Sequence, residues 1–269
     1  MKFLHKFTHN KKRIPKHHLS YRPKLDDLPA FCEAKLPIPV DIPQLIANIP
    51  LSAHADFSTE IYAIIPVQTN LWSGSCLIYR NTLALVEEMP EQLAKQLLTF
   101  SEHLDFTVYK QTLNHLLDAN KRHTPIATRH YSLFPTGGLH VPQTIWINPG
   151  RIEHIHPQEQ SSVLCFENLF TLDVPCPLNI IHRRMHHAFL AHAIIKREHN
   201  IDATQITTSL LEFLNITSSP ETRAVLKNLQ YQHIPKYKNE FFEVYPKFNQ
   251  LQIKKDVKRR LYAELNMEE

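Results

Sequence analysis

HYSLFPTGGLHVPQTIWINPGRIEHIH, residues 130–156, holds three of the chain's four glycines, Gly137, Gly138 and Gly150, and one of its two tryptophans, Trp146. The glycines stand beside Pro135, Pro142 and Pro149. Glycine admits positive φ and proline fixes φ, so this pairing predicts tight turns between short extended runs, and two or three strands are expected here. The same scarcity excludes a class of function. Walker loops and dinucleotide-binding turns need several glycines at fixed offsets to bring backbone amides against phosphate, and no such set occurs in or outside this stretch.

Upstream, TEIYAIIPV (59–67), SCLIYR (75–80) and TLALVEE (82–88) are short, rich in β-branched and aromatic residues, and separated by turn formers that include WSG at 72–74. They predict a β-meander. PEQLAKQLLTFSEHL (90–104) opens with Pro90 and Glu91 and sets Leu93, Leu97 and Phe100 on one face, as a helix would; DFTVYKQTLNHLLDAN (105–120) repeats the pattern with Val108, Leu113 and Leu116. Downstream, SSVLCFENLFTLDV (161–174) predicts a hairpin turning near Glu167 and Asn168. LNIIHRRMHHAFLAHAIIKREH (178–199) places Ile181, Met185, Ala188, His192 and Ile195 on one side of an amphipathic helix. Shorter helices are expected around 203–215 and 221–230. A last helix is expected over 251–266, apolar at Leu251, Val257, Leu261 and Leu265 and basic from Lys254 to Arg260. The fold class is therefore α+β: a β-rich centre of meander and hairpins covered by helices, with a helical C-terminal third from about residue 177.

The 269 residues carry 30 Lys and Arg against 26 Asp and Glu, a net charge of +4 that does not by itself announce nucleic acid. Its distribution is uneven. Eight Lys or Arg and four His lie between Lys2 and Lys24 with no acid before Asp26, and Pro37, Pro39, Pro43 and Pro50 follow. Residues 1–55 thus read as a basic, proline-rich arm, extended or solvated, ahead of a domain over 56–269 that begins near Ser58. The N-terminus is broken by charge too often for a signal peptide and no run is long enough to span a membrane, so a cytoplasmic protein is expected. Cys32, Cys76, Cys165 and Cys176 form no C-x-x-C pair and predict reduced, mostly buried thiols.

No G-x-S-x-G elbow surrounds a serine, no H-E-x-x-H is present, and the acid pair Glu87 and Glu88 falls at a solvent-facing strand end, so no catalytic residue, metal or cofactor is expected. The cations organise better. Lys121, Arg122, His123 and Arg129, then Arg151, then Arg183 and Arg184 with His182, His186 and His187, flank one β-rich region and together predict a phosphate-contacting surface. Lys254, Lys255, Lys258, Arg259 and Arg260 add a basic helix face. Without a major-groove helix motif, backbone and minor-groove contact is the mode such a surface allows. Two other classes stay open: a metal-dependent hydrolase built on His154, His156, His186 and His187, and an adaptor that binds only protein partners.

Leu133, Phe134, Pro135 and Thr136, followed after a turn by Pro142, Trp146 and Ile147, make a pattern that resembles the ComK family of competence transcription factors. EIYAIIPV resembles the family's first strand, HTPIATRH (123–130) its Pro-Ile run, and EFFEVYPK (240–247) its aromatic Tyr-Pro-Lys segment before the last helix. The similarity runs from Glu60 to Leu265, and VYKQTLNHLLDANKR (108–122) stands where members carry a Gly- and Arg-containing segment. The resemblance implies a DNA-binding activator that recognises paired A/T tracts through the minor groove, binds as a homo-oligomer and assists RNA polymerase at competence promoters. It further implies proteolytic control through a MecA-type adaptor and a Clp protease, carried by Phe241, Phe242, Tyr245, Pro246 and Lys247.

Overall fold

The structure, a computed structural model, describes residues 38–39, 49, 51–68, 72–117, 122–138, 141–167, 169–201 and 205–265. Its strands are β1 (Ile38–Pro39), β2 (Ile61–Gln68), β3 (Ser73–Tyr79), β4 (Leu83–Val86), β5 (Ile126–Ala127), β6 (Ser132–Pro135), β7 (Trp146–Ile147), β8 (Ile152–Pro157), β9 (Ser162–Phe166) and β10 (Phe170–Val174). Its helices are α1 (Pro90–Glu102), α2 (Phe106–Leu117), α3 (Leu178–His199), α4 (Leu210–Leu214), α5 (Pro220–Leu226) and α6 (Glu240–Leu265). The fold is α+β, with the helices concentrated toward the C-terminal end.

Two sheets form. The six-stranded sheet has the order β4-β3-β2-β7-β6-β5 and is antiparallel throughout. β2 lies inside it and is buried on both faces, which is why its sequence reads as a nearly continuous apolar run rather than an alternating one. The four-stranded sheet has the order β1-β10-β9-β8, in which β1 pairs parallel to β10 and the rest are antiparallel. Trp146, Tyr62, Phe134, Phe166 and Phe170 are among the largest side chains wholly inside the core, and Phe166 stacks on Phe170 with ring centroids 4.5 Å apart.

Several expectations shift in detail. The glycines serve close approach rather than unusual dihedrals, because none has positive φ. A Cβ on Gly74 would lie 2.1 Å from the Val86 carbonyl oxygen, and one on Gly137 would lie 2.6 Å from Thr144 Oγ1. Left-handed backbone falls instead to other residues, including Glu167 at φ 43°, which turns the β9–β10 hairpin as expected; Asn168 lies outside the described residues. Phe100 is 58% exposed, whereas Leu93 and Leu97 are buried, so the apolar face of α1 is narrower than its sequence suggests. The final helix begins at Glu240, eleven residues before the expected start at 251, with Pro246 inside it. Proline's missing N–H costs one intrahelical bond, and the exposed position leaves the orphaned carbonyl to water.

The start of the domain is also earlier than Ser58. β1 adds to the second sheet, Ile49 is buried, Leu51 bridges Leu85, and the Ser52 N–H donates to the Leu85 carbonyl at 2.6 Å. This covers the edge of β4, a strand whose four residues are all buried. Cys76, Cys165 and Cys176 are free and buried, as expected; Cys32 lies outside the described residues.

α3 organises the rest. It packs against β5 and β6 and touches α2, α4, α5 and α6. Ile181, Met185, Ala188, His192 and Ile195 are all buried along it. Arg197 near its end looks from the sequence like a surface cation, yet it is only 4% exposed. Its guanidinium donates to the carbonyls of Ile234, Pro235, Lys236 and Tyr237 at 3.4, 3.1, 3.0 and 2.8 Å, tying the loop before α6 to α3.

Candidate nucleic-acid interface

α3 starts after the Pro175-Cys176-Pro177 corner, and its buried stripe turns Arg183 outward at the second turn. The β5–β6 hairpin lies along the same helix, bringing the segment just before β5 to this end. There Arg122, His123, Arg183 and Arg184 form one group. Burial and then the charges of Arg184, Arg183 and Arg122 lower the basicity of His123, whose Nδ1 donates to the Gly137 carbonyl at 2.9 Å. Burial, His186 and Arg183 do the same to His187. No carboxylate is among the charges acting on His123, His187 or Arg184. Arg122 and Arg183 are exposed, and no carboxylate among the described residues pairs with Arg183.

The other expected cations separate by what they touch. Arg129 is exposed at the β5–β6 turn; its N–H donates to Glu102 Oε1 at 2.7 Å and its carbonyl accepts from His192 Nε2 at 3.4 Å, while the guanidinium has no partner among the described residues. His192 is nine residues beyond Arg183, so Arg129 and Arg183 lie about 13 Å apart along the helix axis, a span of roughly four phosphates on one DNA strand. Lys121 lies outside the described residues.

Arg151 is committed within the fold. It donates from Nη1 to Glu167 Oε1 at 2.8 Å, from Nε to Glu60 Oε1 at 3.0 Å and from Nη2 to Glu60 Oε2, and its guanidinium lies 5.5 Å over the Tyr62 ring. Burial opposes its charge, but the two carboxylates outweigh that and hold it above its ordinary value. The sequence expectation of a phosphate contact at Arg151 is therefore replaced by a structural role: the pairing leaves no excess charge to display. Arg184 is intermediate. Its Nη1 donates to the Thr136 carbonyl and contacts Cys176 Sγ at 3.2 Å, and burial lowers its basicity, so it fixes the loop after β6 while adding charge to the group.

Among the described residues no three His, Cys, Asp or Glu side chains come together as a metal would need. His154 and His156 are exposed on β8, His182 pairs with Glu221 of α5 at 2.8 Å, and the rings of His186 and His187 lie tilted to each other with centroids 6.0 Å apart. The aromatic segment at the start of α6 is split. Phe241 is wholly buried and packs on Tyr109 at 6.0 Å, and Tyr245 accepts from the Asp105 N–H at 2.8 Å. Phe242, Pro246 and Lys247 are exposed. On the outer part of α6, Lys254, Lys255, Lys258, Arg259 and Arg260 are exposed, but so are Leu251 (50%) and Val257 (51%), so the expected apolar side of this helix packs on nothing among the described residues.

Sequence reasoning passed over Glu60 and Glu167, whose pairing decides the state of Arg151, because the two acids are 107 positions apart and neither flanks it. It also passed over Lys196, one turn beyond the buried His192 on α3. Among the described residues no helix is long and apolar enough to cross a membrane. Compared with known proteins, the chain matches no protein-family model, no curated protein and no solved structure.

Proposed function

We propose that the chain is a DNA-binding transcriptional activator of the ComK type, acting in the cytoplasm as a homo-oligomer on paired A/T-rich sites and with RNA polymerase at competence promoters. One observation carries it. Arg183 presents exposed charge that no carboxylate among the described residues pairs with; Arg122 is exposed near it, His123 and His187 adjoin it, and Arg129 lies further along α3. A-tracts narrow the minor groove and deepen its negative potential, so a short row of arginines can select them by shape with few base contacts. Arg184 adjoins the row through its bond to the Thr136 carbonyl, and Arg151 ties Glu60 to Glu167 within the fold. The exposed residues Phe242, Pro246 and Lys247 are the part of the aromatic segment that a MecA-type adaptor can reach while α6 stays docked.

Fluorescence anisotropy on duplexes with and without two spaced A/T tracts, over a salt series, tests this. Neutralising roughly four to eight phosphates gives a log–log salt slope of about −0.9 per phosphate, and Arg183→Ala lowers the magnitude of that slope by about 0.9 without unfolding the protein. A flat slope, or equal affinity for a G·C-rich duplex, refutes the assignment.

A further inference from the structure

A cleft of about 600 Å³ opens between the β5–β6 turn, the Pro149–Arg151 turn, the C-terminal half of α3 and the loop after α4. That volume lies in the range of small-molecule sites. Phe189, Phe213, Leu214 and Ile216 form its apolar side. Arg129, His130, Lys196 and Ser132 also line it.

Three features set its chemistry. The first is uncompensated positive charge. Lys196 Nζ donates only to the Leu214 carbonyl, at 3.1 Å, and lies 5.7 Å over the Phe213 ring; no carboxylate among the described residues pairs with it or with Arg129. Glu60 is the one acid in the lining, and both of its oxygens are taken by Arg151, with Asn148 Nδ2 donating to it as well. The second is an unsatisfied donor. Ser132 is 2% exposed and its hydroxyl has no hydrogen-bond partner among the described residues. A buried hydroxyl without a partner is costly, and Ser132 is one of the residues lining this cleft. The third is that an aromatic and aliphatic wall lines the same cleft, with Lys196 at its edge over the Phe213 ring, so the body of a ligand has an apolar surface beside the charge.

We propose that this cleft binds a small phosphate monoester whose phosphate is held by Arg129, Lys196 and the Ser132 hydroxyl and whose apolar or aromatic body lies against Phe189, Phe213 and Ile216. A monoester carries about −1.5 to −2 charge at neutral pH, which matches two cations better than the single charge of a carboxylate does. The site shares Arg129 with the row proposed for DNA, but Lys196 and Ser132 belong to the cleft and Arg183 does not line it, so it stands whether or not the chain binds DNA.

Calorimetric titration with phenyl phosphate at low salt reads the site directly. The expected dissociation constant is on the order of 1 mM, in keeping with a ligand this small. Lys196→Met and Arg129→Gln are each expected to weaken it about tenfold, the scale of a lost charge-assisted hydrogen bond, while Arg183→Ala leaves it unchanged. Benzyl alcohol, benzoate and inorganic phosphate, which lack the phosphate, the second charge and the body in turn, are each expected to bind more weakly. Arg129 is exposed, so its variant folds even if the Lys196 variant does not. No binding at about ten times the expected constant, equal binding of benzoate or inorganic phosphate, or affinity unchanged in both cleft variants overturns the proposal.

Discussion

Replacing Arg151 with methionine takes away the one cation that Glu60 and Glu167 share. Both carboxylates then face each other across the space it filled, with the Tyr62 hydroxyl, which donates to Glu167 Oε2 at 2.6 Å, and Asn148 Nδ2, which donates to Glu60 Oε1 at 2.9 Å, as the remaining partners. Removing one partner of a buried ion pair costs ~3–5 kcal/mol, because the charge left behind is uncompensated. Here the side chains of Arg151, Glu60 and Glu167 keep 26%, 32% and 22% of their exposure, so water screens part of the loss. A cost of about 2–3 kcal/mol follows. Lysine restores charge but not the fork that reaches both acids, and Arg151→Lys is expected to lose about 1 kcal/mol. Urea unfolding followed by circular dichroism measures both, and a melt should show the methionine variant lower by ~5–10 °C. The DNA assay supplies the opposing case. An arginine on phosphate would leave stability intact and reduce the salt slope by about 0.9. Stability within ~0.5 kcal/mol of the parent protein, together with such a slope change, would refute the structural role assigned to Arg151.

Acid should unfold the protein through its buried histidines. Burial, and then the Lys196 charge, push His192 down to about 3, below the ordinary value near ~6.5 that it regains on unfolding, so the unfolded chain binds the extra proton. Stability is then full above about pH 6.5 and falls toward pH 3 at up to ~1.4 kcal/mol per pH unit for this one group, with His123, His186 and His187, also lowered by burial, adding to it. Urea midpoints measured across that window should fall less steeply in His192→Gln by about one proton; identical slopes would show that His192 is not held neutral. At the start of α6, Phe241→Ala is expected to cost ~3–5 kcal/mol by opening a cavity beside Tyr109, whereas Phe242→Ala with Lys247→Ala leaves the melt nearly unchanged and weakens capture by a MecA-type adaptor. Pull-down and melting on the two variants separate the roles, and unchanged capture by the exposed pair would place the adaptor elsewhere.

The meander, the hairpin and the long helix were legible because each announces itself within one short window. IYAIIPVQ has too few polar residues for a surface strand, and the Ile181, Met185, Ala188, His192, Ile195 series repeats at helical spacing. Strand order was not legible, since β7 inserts between β2 and β6 through pairings of Ala63 with Ile147 and Phe134 with Ile147, across more than eighty positions in the first case. The early start of α6 was hidden by Pro246, which sequence rules treat as a helix breaker. Phe100 carried the spacing of a core residue and lies outward, because period alone does not say where a partner surface ends.

The arginines show why the surface was harder to foresee than the core. Arg122, Arg129, Arg151, Arg183, Arg184 and Arg197 are alike in sequence, but a guanidinium has five donors, and its fate depends on acceptors that come from elsewhere in the chain. Arg197 meets four carbonyls of one loop and vanishes into the core; Arg151 meets two carboxylates, Glu60 just before β2 and Glu167 at the β9–β10 turn; Arg184 meets the Thr136 carbonyl. Arg183 and the Arg129 guanidinium meet none of these among the described residues. Charge that the fold has not used is the charge available to a ligand, and a long polyanion and a small phosphate would share Arg129 and otherwise draw on different ends of α3. The first would take the row at the N-terminal end of α3, where the imidazoles of His123 and His187 are neutral and a phosphate would favour their protonation. The second would take Lys196 at the other end, where the cleft of about 600 Å³ offers room for a phosphate with its apolar body.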